Sequence, residues 1–270
     1  MPADGSRRNL AEQSLALLWG WQKKPRRGPK PGLDVERIAR AAIDIADTHG
    51  LEALSMRSVS ERLGVGAMSL YTYVPGKAEL LDVMVDRVVA EKSLPATDGG
   101  WRARLEAIAR EDWALYRRHR WLLEVSFARS VMGPNVLQGF EGALAAISGT
   151  GFTASEMPRV VTLLGVYVRG AAKNAADAID AAQQTGVSDD EWWLEREPIL
   201  DKYIDFSRYP TLGEVAEAGG FTEMGGDADY FYQRALDDFE FGLERVLDGL
   251  EAYIERRTSR AGPGDGAPDG

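Results

Sequence analysis

The sequence predicts an all-α protein with two helical parts. Apolar residues recur at intervals of three and four over most of the chain, and glycine and proline separate these stretches. No stretch shows the strict alternation of apolar and polar residues that is typical of a half-buried strand. We therefore expect an N-terminal three-helix domain, joined by a linking helix to a larger helical domain.

The composition excludes several classes of protein. The chain has 270 residues, of which 44% are hydrophobic, enough to bury a sizeable core. It has no cysteine, which excludes a disulfide framework, a cysteine zinc site and a thiol nucleophile. No apolar run approaches the roughly 18 residues that a membrane-spanning helix needs. The apolar run near the start precedes a basic cluster, the reverse of a signal peptide, so we expect a cytoplasmic protein without membrane contact.

Residues 1–31 are predicted to form a flexible basic arm. Within it, residues 10–22 have the pattern of a short helix. The segment 23–32, KKPRRGPKPG, combines five cations, three prolines and two glycines. Because proline lacks an amide donor and interrupts helices, we do not expect this segment to be helical.

The first domain helix is predicted to begin after Asp34, whose side chain suits an N-cap, and to stop at Gly50, which suits the left-handed C-terminal position. Its apolar residues lie on one side of the helix and should be buried. They are Val35, Ile38, Ala39, Ala42, Ile45 and Ala46.

Residues 54–73 predict two short helices joined by a tight turn. Ser55 is an N-cap candidate, Gly64 ends the first helix, and the second helix runs from Ala67 to Tyr73. The outer face of the second helix carries Met68, Ser69, Thr72 and Tyr73. This is the pattern of a helix-turn-helix, whose second helix fits the DNA major groove. Helical hairpins with glycine turns also occur in proteins that do not bind DNA.

An apolar stripe at helical spacing continues over residues 77–92 and predicts the linking helix. Its members are Leu80, Leu81, Met84, Val85, Val88 and Val89. The stretch SLPATDGG at 93–100 marks a boundary, after which helical patterns fill a second domain at 93–258. The tail 259–270 is rich in glycine and proline and is predicted to be disordered.

The stretch LSMRSVSERLGVGAMSLYTYVPGKAELLD closely resembles the DNA-binding motif of the TetR family, the bacterial one-component repressors. The resemblance covers residues 32–92. The Leu-Gly-Val turn, the Leu70-Tyr71 pair, Tyr73 and Lys77 stand in the family's order without a gap. It implies that residues 32–92 are a helix-turn-helix DNA-binding domain.

Positions within the family motif imply roles for individual residues. Tyr71, Tyr73 and Lys77 resemble phosphate contacts, and Arg57 reaches in from the first helix. The base-facing positions are held by Gly66, Ala67, Met68 and Ser69. Because this set lacks the Arg, Asn or Gln that make bidentate base contacts, we expect thymine-methyl contacts and reliance on DNA shape.

The net charge of −10 is unevenly distributed. Residues 1–93 hold 14 Lys and Arg against 12 Asp and Glu, whereas residues 94–270 hold 18 against 30. The positive charge is thus concentrated at the end that carries the motif, as phosphate contacts require. The basic arm is open to two interpretations. It is either a solvated linker or an arm that lies along DNA, with Arg26 or Arg27 entering a minor groove.

The last helical stretch has a heptad-like seam that suits an oligomer interface. Its residues are Leu236, Phe239, Leu243, Val246, Leu250 and Tyr253. Packing within one chain would give the same periodicity. The resemblance favours a homodimer, because TetR repressors pair their last long helices into a four-helix bundle.

Residues 101–207 carry more aromatic and small side chains than a core needs, which suggests a pocket for an apolar, ring-bearing effector. The segments HRWLLEVS, MGPN and VYVRGAAKNAADA also resemble, more weakly, the ligand domain of the tetracycline-repressor-like branch. The candidate ligand-binding residues are Trp113, Tyr116, Phe127, Phe140, Tyr167, Trp192 and Trp193, with Gln138, Arg169 and Asn174 as polar contacts. Each of them can instead be core packing.

No catalytic site, metal site or cofactor is predicted. The acidic cluster at 237–240 belongs to the solvated side of the seam helix, and His119 has no second histidine in its domain. We expect a dimeric repressor that binds double-stranded operator DNA and is released by a small molecule, and not an enzyme. The alternatives are a TetR-like regulator without a small-molecule ligand and, more distantly, an all-α enzyme.

Overall fold

The computed structural model describes residues 4–20, 32–93, 99–126, 130–185, 195–196, 199–200, 202–220 and 228–260. Every regular element in these ranges is a helix, as the apolar periodicity predicts. Within the same ranges, no helix is long and apolar enough to cross a membrane. The α-helices are α1 (Asp4–Leu18), α2 (Val35–His49), α3 (Met56–Leu63), α4 (Ala67–Leu70), α5 (Lys77–Val89), α6 (Gly100–Arg118), α7 (Pro134–Ile147), α8 (Met157–Thr185), α9 (Pro210–Glu217) and α10 (Ala228–Arg260).

The chain forms two compact units. The first consists of residues 1–169 and 246–270, and the second of residues 170–245. One hydrophobic core runs through the first unit from α1 to the segment that follows α6. This core is continuous across the domain boundary that the sequence predicts near residue 93, because α5 packs on helices from both sides.

The helix α1 departs from the expectation of a flexible arm. It begins at Asp4, earlier than the sequence pattern indicates, and packs against α5. Leu17 and Leu18 are buried in the common core, and the Trp19 indole Nε1 donates to the Met132 carbonyl at 3.1 Å. The two leucines supply the apolar contact that holds the helix in place. The basic segment with Arg26 and Arg27 lies outside the described residues.

The predicted limits of α2 are confirmed. Asp34 is its N-cap, and its side chain accepts from the Arg37 amide at 2.8 Å. Gly50 ends the helix at φ 79°, a conformation that is costly for other residues. Ile38, Ala39, Ala42, Ile45 and Ala46 are buried as expected.

The linking helix α5 is buried on most of its surface. Leu80, Val83, Met84, Val85 and Val88 are inside the core. A helix that is buried on most of its surface lies between other elements, and α5 packs against α1, α2 and α7. Asp86 is also fully buried, which the apolar pattern does not predict.

The end of α10 is tied to the start of α8 within the first unit. The Tyr253 hydroxyl donates to Glu156 Oε1 at 2.5 Å, and Arg257 Nη1 donates to both carboxylate oxygens at 2.7 and 2.6 Å. The Phe152 and Tyr253 rings stack with centroids 5.8 Å apart. The hydrogen bond from Tyr253, with bonds from Thr153 and the charge of Arg257, lowers the pKa of Glu156 to about 2.

In the second unit, Phe239 and Leu243 of the predicted seam are buried inside the single chain. The sequence pattern predicts no structure for residues 208–226, and these residues contain the helix α9. The helical patterns predicted for the second domain include residues 189–207. Only parts of that range are described, and they include a 3₁₀ turn at Phe206–Arg208.

The pKa of Glu156 gives a test of the contact between the end of α10 and the start of α8. Its folded pKa of about 2 lies below the ordinary glutamate pKa of 4.5, so its ionised form stabilises the fold above pH 4.5, and this contribution is lost as the pH falls to 2. We expect Glu156→Gln to lower the urea midpoint near neutral pH, and the deficit to shrink as the pH falls through this window. Glu255→Gln, a change at an exposed glutamate of α10, is the control. A deficit that stays constant with pH would contradict the assignment.

Candidate nucleic-acid interface

The helix-turn-helix is fixed by hydrogen bonds at both ends of α3. The Ser58 amide donates to Ser55 Oγ at 3.0 Å, and the Ser55 amide donates to Ser58 Oγ at 2.9 Å, which forms a capping box. At the other end Gly64 adopts the left-handed conformation at φ 66°, and the Val65 amide donates to the Ser60 carbonyl at 3.0 Å. These bonds set the direction in which the chain enters α4.

The helix α4 is a single turn that presents its outer face to solvent. Leu70 and Val74 are completely buried and anchor it. Met68 is 78% exposed and Tyr71 46%, and Ser69 is exposed as well. The predicted base-facing positions are therefore free to approach a partner.

The second helix is shorter than the sequence predicts. It ends at Leu70, and Tyr71 to Tyr73 form a turn in which the Tyr73 and Val74 amides donate to the Leu70 carbonyl, both at 2.9 Å. Tyr73 is half-buried against the core, so part of its ring is structural. The following Pro75 and Gly76 stop the helix because proline disfavours a helical conformation in the residue before it.

Two cations flank the exposed face of α4. Arg57 is exposed and its Nε donates to Glu61 Oε1 at 2.8 Å, which raises the pKa of the guanidinium. Lys77 is exposed at the start of α5, and its Nζ lies 3.5 Å from the Leu51 carbonyl. Both side chains hold only exposed local contacts, which a phosphate group could replace.

The buried carboxylate of Asp86 joins α5 to α7. It accepts from the Asn135 and Val136 amides at 2.9 and 3.1 Å, and from Asn135 Nδ2 at 2.8 Å. The first turn of an α-helix has amides without partners inside the helix, so Asp86 caps α7 from a different helix. A side chain at Gly133 would place its Cβ 2.1 Å from Asp86 Oδ1, which explains the glycine before Pro134.

The residue after Asp86, Arg87, joins α5 to α2. Arg87 donates from Nε to Glu36 Oε2 on α2 at 2.8 Å, and from Nη1 to Asp86 Oδ2 at 3.2 Å. One helix thus contacts α7 and α2 through neighbouring residues. The sequence analysis missed this arrangement, and the signal was an aspartate within the apolar positions of α5.

The predicted ligand-binding residues divide into two groups. Trp113 is buried and Tyr116 and Tyr167 are half-buried, whereas Gln138, Phe140 and Asn174 are exposed. Phe127, Trp192 and Trp193 lie outside the described residues.

Arg169 lies close to the buried group. It donates from Nη2 to the Leu123 and Val125 carbonyls at 2.8 and 2.6 Å. Burial, and the nearby Asp112 carboxylate, raise the pKa of Tyr116 to about 12. The described structure thus brings Tyr116 and Arg169 together at the end of α6.

The predicted dimer residues are mostly covered by the chain itself. Phe239, Leu243 and Leu250 are buried, and Leu236 and Val246 are half-buried. This burial favours packing within the chain for the three buried residues. Phe241 on the same helix is 65% exposed, and Leu163 and Val166 on α8 are exposed too. Dimerisation through these helices stays a prediction.

Comparisons with known proteins agree with this geometry. The family model described as bacterial regulatory proteins, tetR family, matches residues 38–84, and the one described as tetracyclin repressor-like, C-terminal domain, matches residues 94–254. The HTH-type transcriptional repressor DrrR1 of Streptomyces coeruleorubidus is 44% identical over 253 residues, covering 93% of this chain and 89% of the relative. Tetracycline repressor protein class A from transposon 1721 of Escherichia coli is 27% identical over 223 residues, covering 81% and 90%.

Two solved structures of one protein are similar over most of their length. Apo ActR of Streptomyces coelicolor matches with a TM-score of 0.65 and 26% identity, covering 85% of this chain and 100% of ActR. ActR in complex with actinorhodin matches with a TM-score of 0.67 and 26% identity, covering 83% and 97%.

The capping of α7 by Asp86 can be tested by measuring the free energy of unfolding of two variants. Asp86→Asn removes a buried charge that accepts several hydrogen bonds and turns an amide NH2 group toward other donors, so we expect a loss of about 2–3 kcal/mol in the free energy of urea unfolding. Asp82→Asn on the same helix is the matched control. Burial, and the charge of Glu79, raise the pKa of Asp82, so neutralising it should leave stability unchanged or increase it. Equal losses in the two variants would contradict the capping role.

Proposed function

Because the chain belongs to the tetR family of bacterial regulatory proteins and is a DNA-binding transcriptional regulator, we propose that it is a dimeric repressor that a small apolar or aromatic molecule releases from a palindromic operator. The observation that carries the proposal is the exposed face of α4 on a motif capped at both ends of α3. A rigid helix with exposed side chains is what reading the major groove requires.

DNA recognition would rest on few direct base contacts. Ala67 and Met68 offer apolar contacts to thymine methyl groups, and Ser69 offers one hydroxyl. Tyr71 and Lys77 would fix the position of the motif on phosphates, which gives affinity without sequence information. Arg57 would exchange Glu61 for DNA, because the ion pair between them is solvent-exposed.

The basic segment before α2 would add affinity rather than specificity. Arg26 and Arg27 lie among five cations within residues 23–32, and each phosphate that such cations neutralise releases counterions. The proposed minor-groove contact depends on DNA shape more than on base edges.

Two observations support a small-molecule effector. One comes from the relatives, and the other from the part of the first unit that follows α5, which we call the body. ActR is solved in complex with actinorhodin, and DrrR1 is named a repressor. In this chain Trp113, Tyr116 and Arg169 combine aromatic surface with a cation at the end of α6. Such a mixture of apolar walls and a few polar groups is typical of ligand sites.

Release would be a shift between two arrangements of the DNA-binding domains. The effector must prefer the arrangement in which the two motifs do not fit the operator, because equal affinity for both would change nothing. The contacts of Asp86 and Arg87 support α5 as the element that transmits the change, since they hold it to α7 and to α2.

A regulator without a small-molecule ligand is the second candidate. It is favoured by the exposure of Gln138, Phe140 and Asn174, because exposed side chains do not line a closed pocket. The two candidates share the DNA-binding prediction and differ in whether any compound weakens operator binding.

The DNA-binding face is tested with three alanine variants. An operator is first selected from random DNA with the wild-type protein. Tyr71→Ala should weaken binding about tenfold on operator and unrelated DNA alike, since one hydrogen bond to a charged group is lost. Met68→Ala should change the preferred bases in a new selection. Tyr203→Ala, an exposed tyrosine outside the motif, should do neither. Unchanged binding and base preference in both motif variants would refute the interface.

The effector is tested by linkage. Actinorhodin and tetracycline serve as the first probes, and the affinity of each is measured with and without saturating operator. If a probe weakens operator binding by some factor, the operator must weaken that probe by the same factor. Identical probe affinities in the two titrations would reject that compound as an inducer. Failure of a broad compound panel would favour the ligand-free regulator.

A further inference from the structure

His119 is a buried polar residue at the junction between the DNA-binding domain and the body. It follows α6, where the chain enters the 3₁₀ turn Arg120–Leu123, and it is 4% exposed. Among the described residues, the buried polar or charged side chains are Ser60, Asp86 and His119. The sequence analysis gave His119 no partner, yet the structure surrounds it with charges.

Both ring nitrogens of His119 face carboxylates from different helices. Nδ1 lies 2.8 Å from Oδ1 of Asp47, near the end of α2, and Nε2 lies 3.1 Å from Oε2 of Glu91, just after α5. Trp121 Nε1 donates to the same Asp47 oxygen at 2.8 Å. The ring therefore connects the first helix of the DNA-binding domain with the end of the linking helix.

The hydrogen-bond chemistry of this cluster defines the charge on the ring. An ionised carboxylate only accepts hydrogen bonds, and a neutral imidazole donates through just one nitrogen. With carboxylate oxygens on both sides, both bonds form only when both nitrogens carry protons. Arg118 donates to Glu91 from Nη1 at 2.8 Å, so one guanidinium and the imidazole face the two carboxylates in the cluster.

Glu91 is in the form that this arrangement needs. Burial opposes its ionisation, but hydrogen bonds from His119 and Arg118 outweigh that effect, so the pKa of Glu91 lies below its ordinary value. The groups around the ring are Asp47 from α2, Glu91 after α5 and Arg118 from α6. In the described ranges no group of three or more His, Cys, Asp and Glu side chains is placed to hold a metal ion.

We propose that His119 in its doubly protonated form is a positioning residue that clamps the DNA-binding domain to the body, and that loss of one proton loosens the clamp as the pH rises. A neutral ring keeps one of the two bonds and leaves the other carboxylate facing a nitrogen that repels it. Asp47 then keeps its bond from Trp121 and Glu91 its bond from Arg118, but the imidazole no longer joins the two carboxylates.

The clamp makes operator affinity depend on pH, a step that rests on the proposed DNA-binding function. Two domains held in fixed orientations lose less entropy when they engage two half-sites together than two domains that can turn. Protonated His119 should therefore favour operator binding. Arg57, Lys77 and the motif itself are unaffected by the ring, so the effect should be separable from the DNA contacts.

The charge on the ring is measured directly, without DNA. The chain has two histidines, and His49 is exposed, so a His49→Gln variant assigns the ring signals of the ¹⁵N-histidine-labelled full chain. We expect both ring nitrogens of His119 to show the closely spaced shifts of imidazolium at about pH 7. One protonated and one unprotonated nitrogen at that pH would overturn the clamp, whatever the protein does with DNA.

The effect on binding is measured as operator affinity between about pH 6 and 8.5. We expect wild-type affinity to fall about fivefold or more across this range, the scale of a typical coupling between sites. His119→Gln should remove this dependence and bind more weakly at the acidic end, while His49→Gln should behave as wild type. Glu91→Gln, which keeps an oxygen acceptor but removes the charge, should reduce the dependence.

The outcomes separate the two proposals. A pH dependence that persists in His119→Gln, or one of opposite sign, would overturn the clamp while leaving the DNA-binding function intact. A wild-type protein that selects no DNA sequence would refute the proposed function, and the ring shifts would still decide the charge on His119. Melting temperatures of all variants near neutral pH establish that each is folded.

Discussion

The buried carboxylate of Asp86 fixes the position of the linking helix against α7. Apolar packing can hold α5 in place, but it allows small rotations and translations at little cost. A carboxylate that accepts three hydrogen bonds from the first turn of α7 does not, because each bond requires a defined distance and direction. Arg87, the next residue, extends the constraint to α2.

These polar contacts give the DNA-binding domain a defined orientation on the body. Buried ionic groups often contribute little net stability, because desolvation offsets their attraction, but they penalise alternative arrangements that leave a charge without a partner. The cluster of His119, Asp47 and Glu91 lies at a second point of the same junction. Two separate polar contacts at one junction restrict the arrangements that the linking helix can adopt, because each requires a defined distance and direction.

The parts of the fold that the sequence predicts are those with local causes. Asp34, Ser55 and Gly64 act on amides or dihedral angles within a few residues, so the limits of α2 and α3 follow from the sequence itself. The exposed face of α4 follows from the same spacing. The early end of α4 at Leu70 was missed because its final turn is closed by bonds to one carbonyl.

The missed contacts join residues that are far apart in the chain. Asp86 lies 49 positions from Asn135, and His119 lies 72 positions from Asp47. Periodicity assigns a residue to a face of its own helix but does not identify the element opposite, so a buried charge and its partners remain invisible. The packing of α1 on α5 and the burial of Phe239 within the chain have the same origin.

Hydrogen–deuterium exchange at the amides of Asn135 and Val136 tests most directly whether the linking helix couples the two parts. Both amides donate to Asp86, so their exchange reports the contact between α5 and α7. In the proposed interface operator DNA contacts α5 only at its other end, at Lys77, yet the account predicts that DNA changes exchange at these two amides, and that Asp86→Asn abolishes the change. Protection of α3 and α4 by DNA with unaltered exchange at Asn135 and Val136 would contradict it.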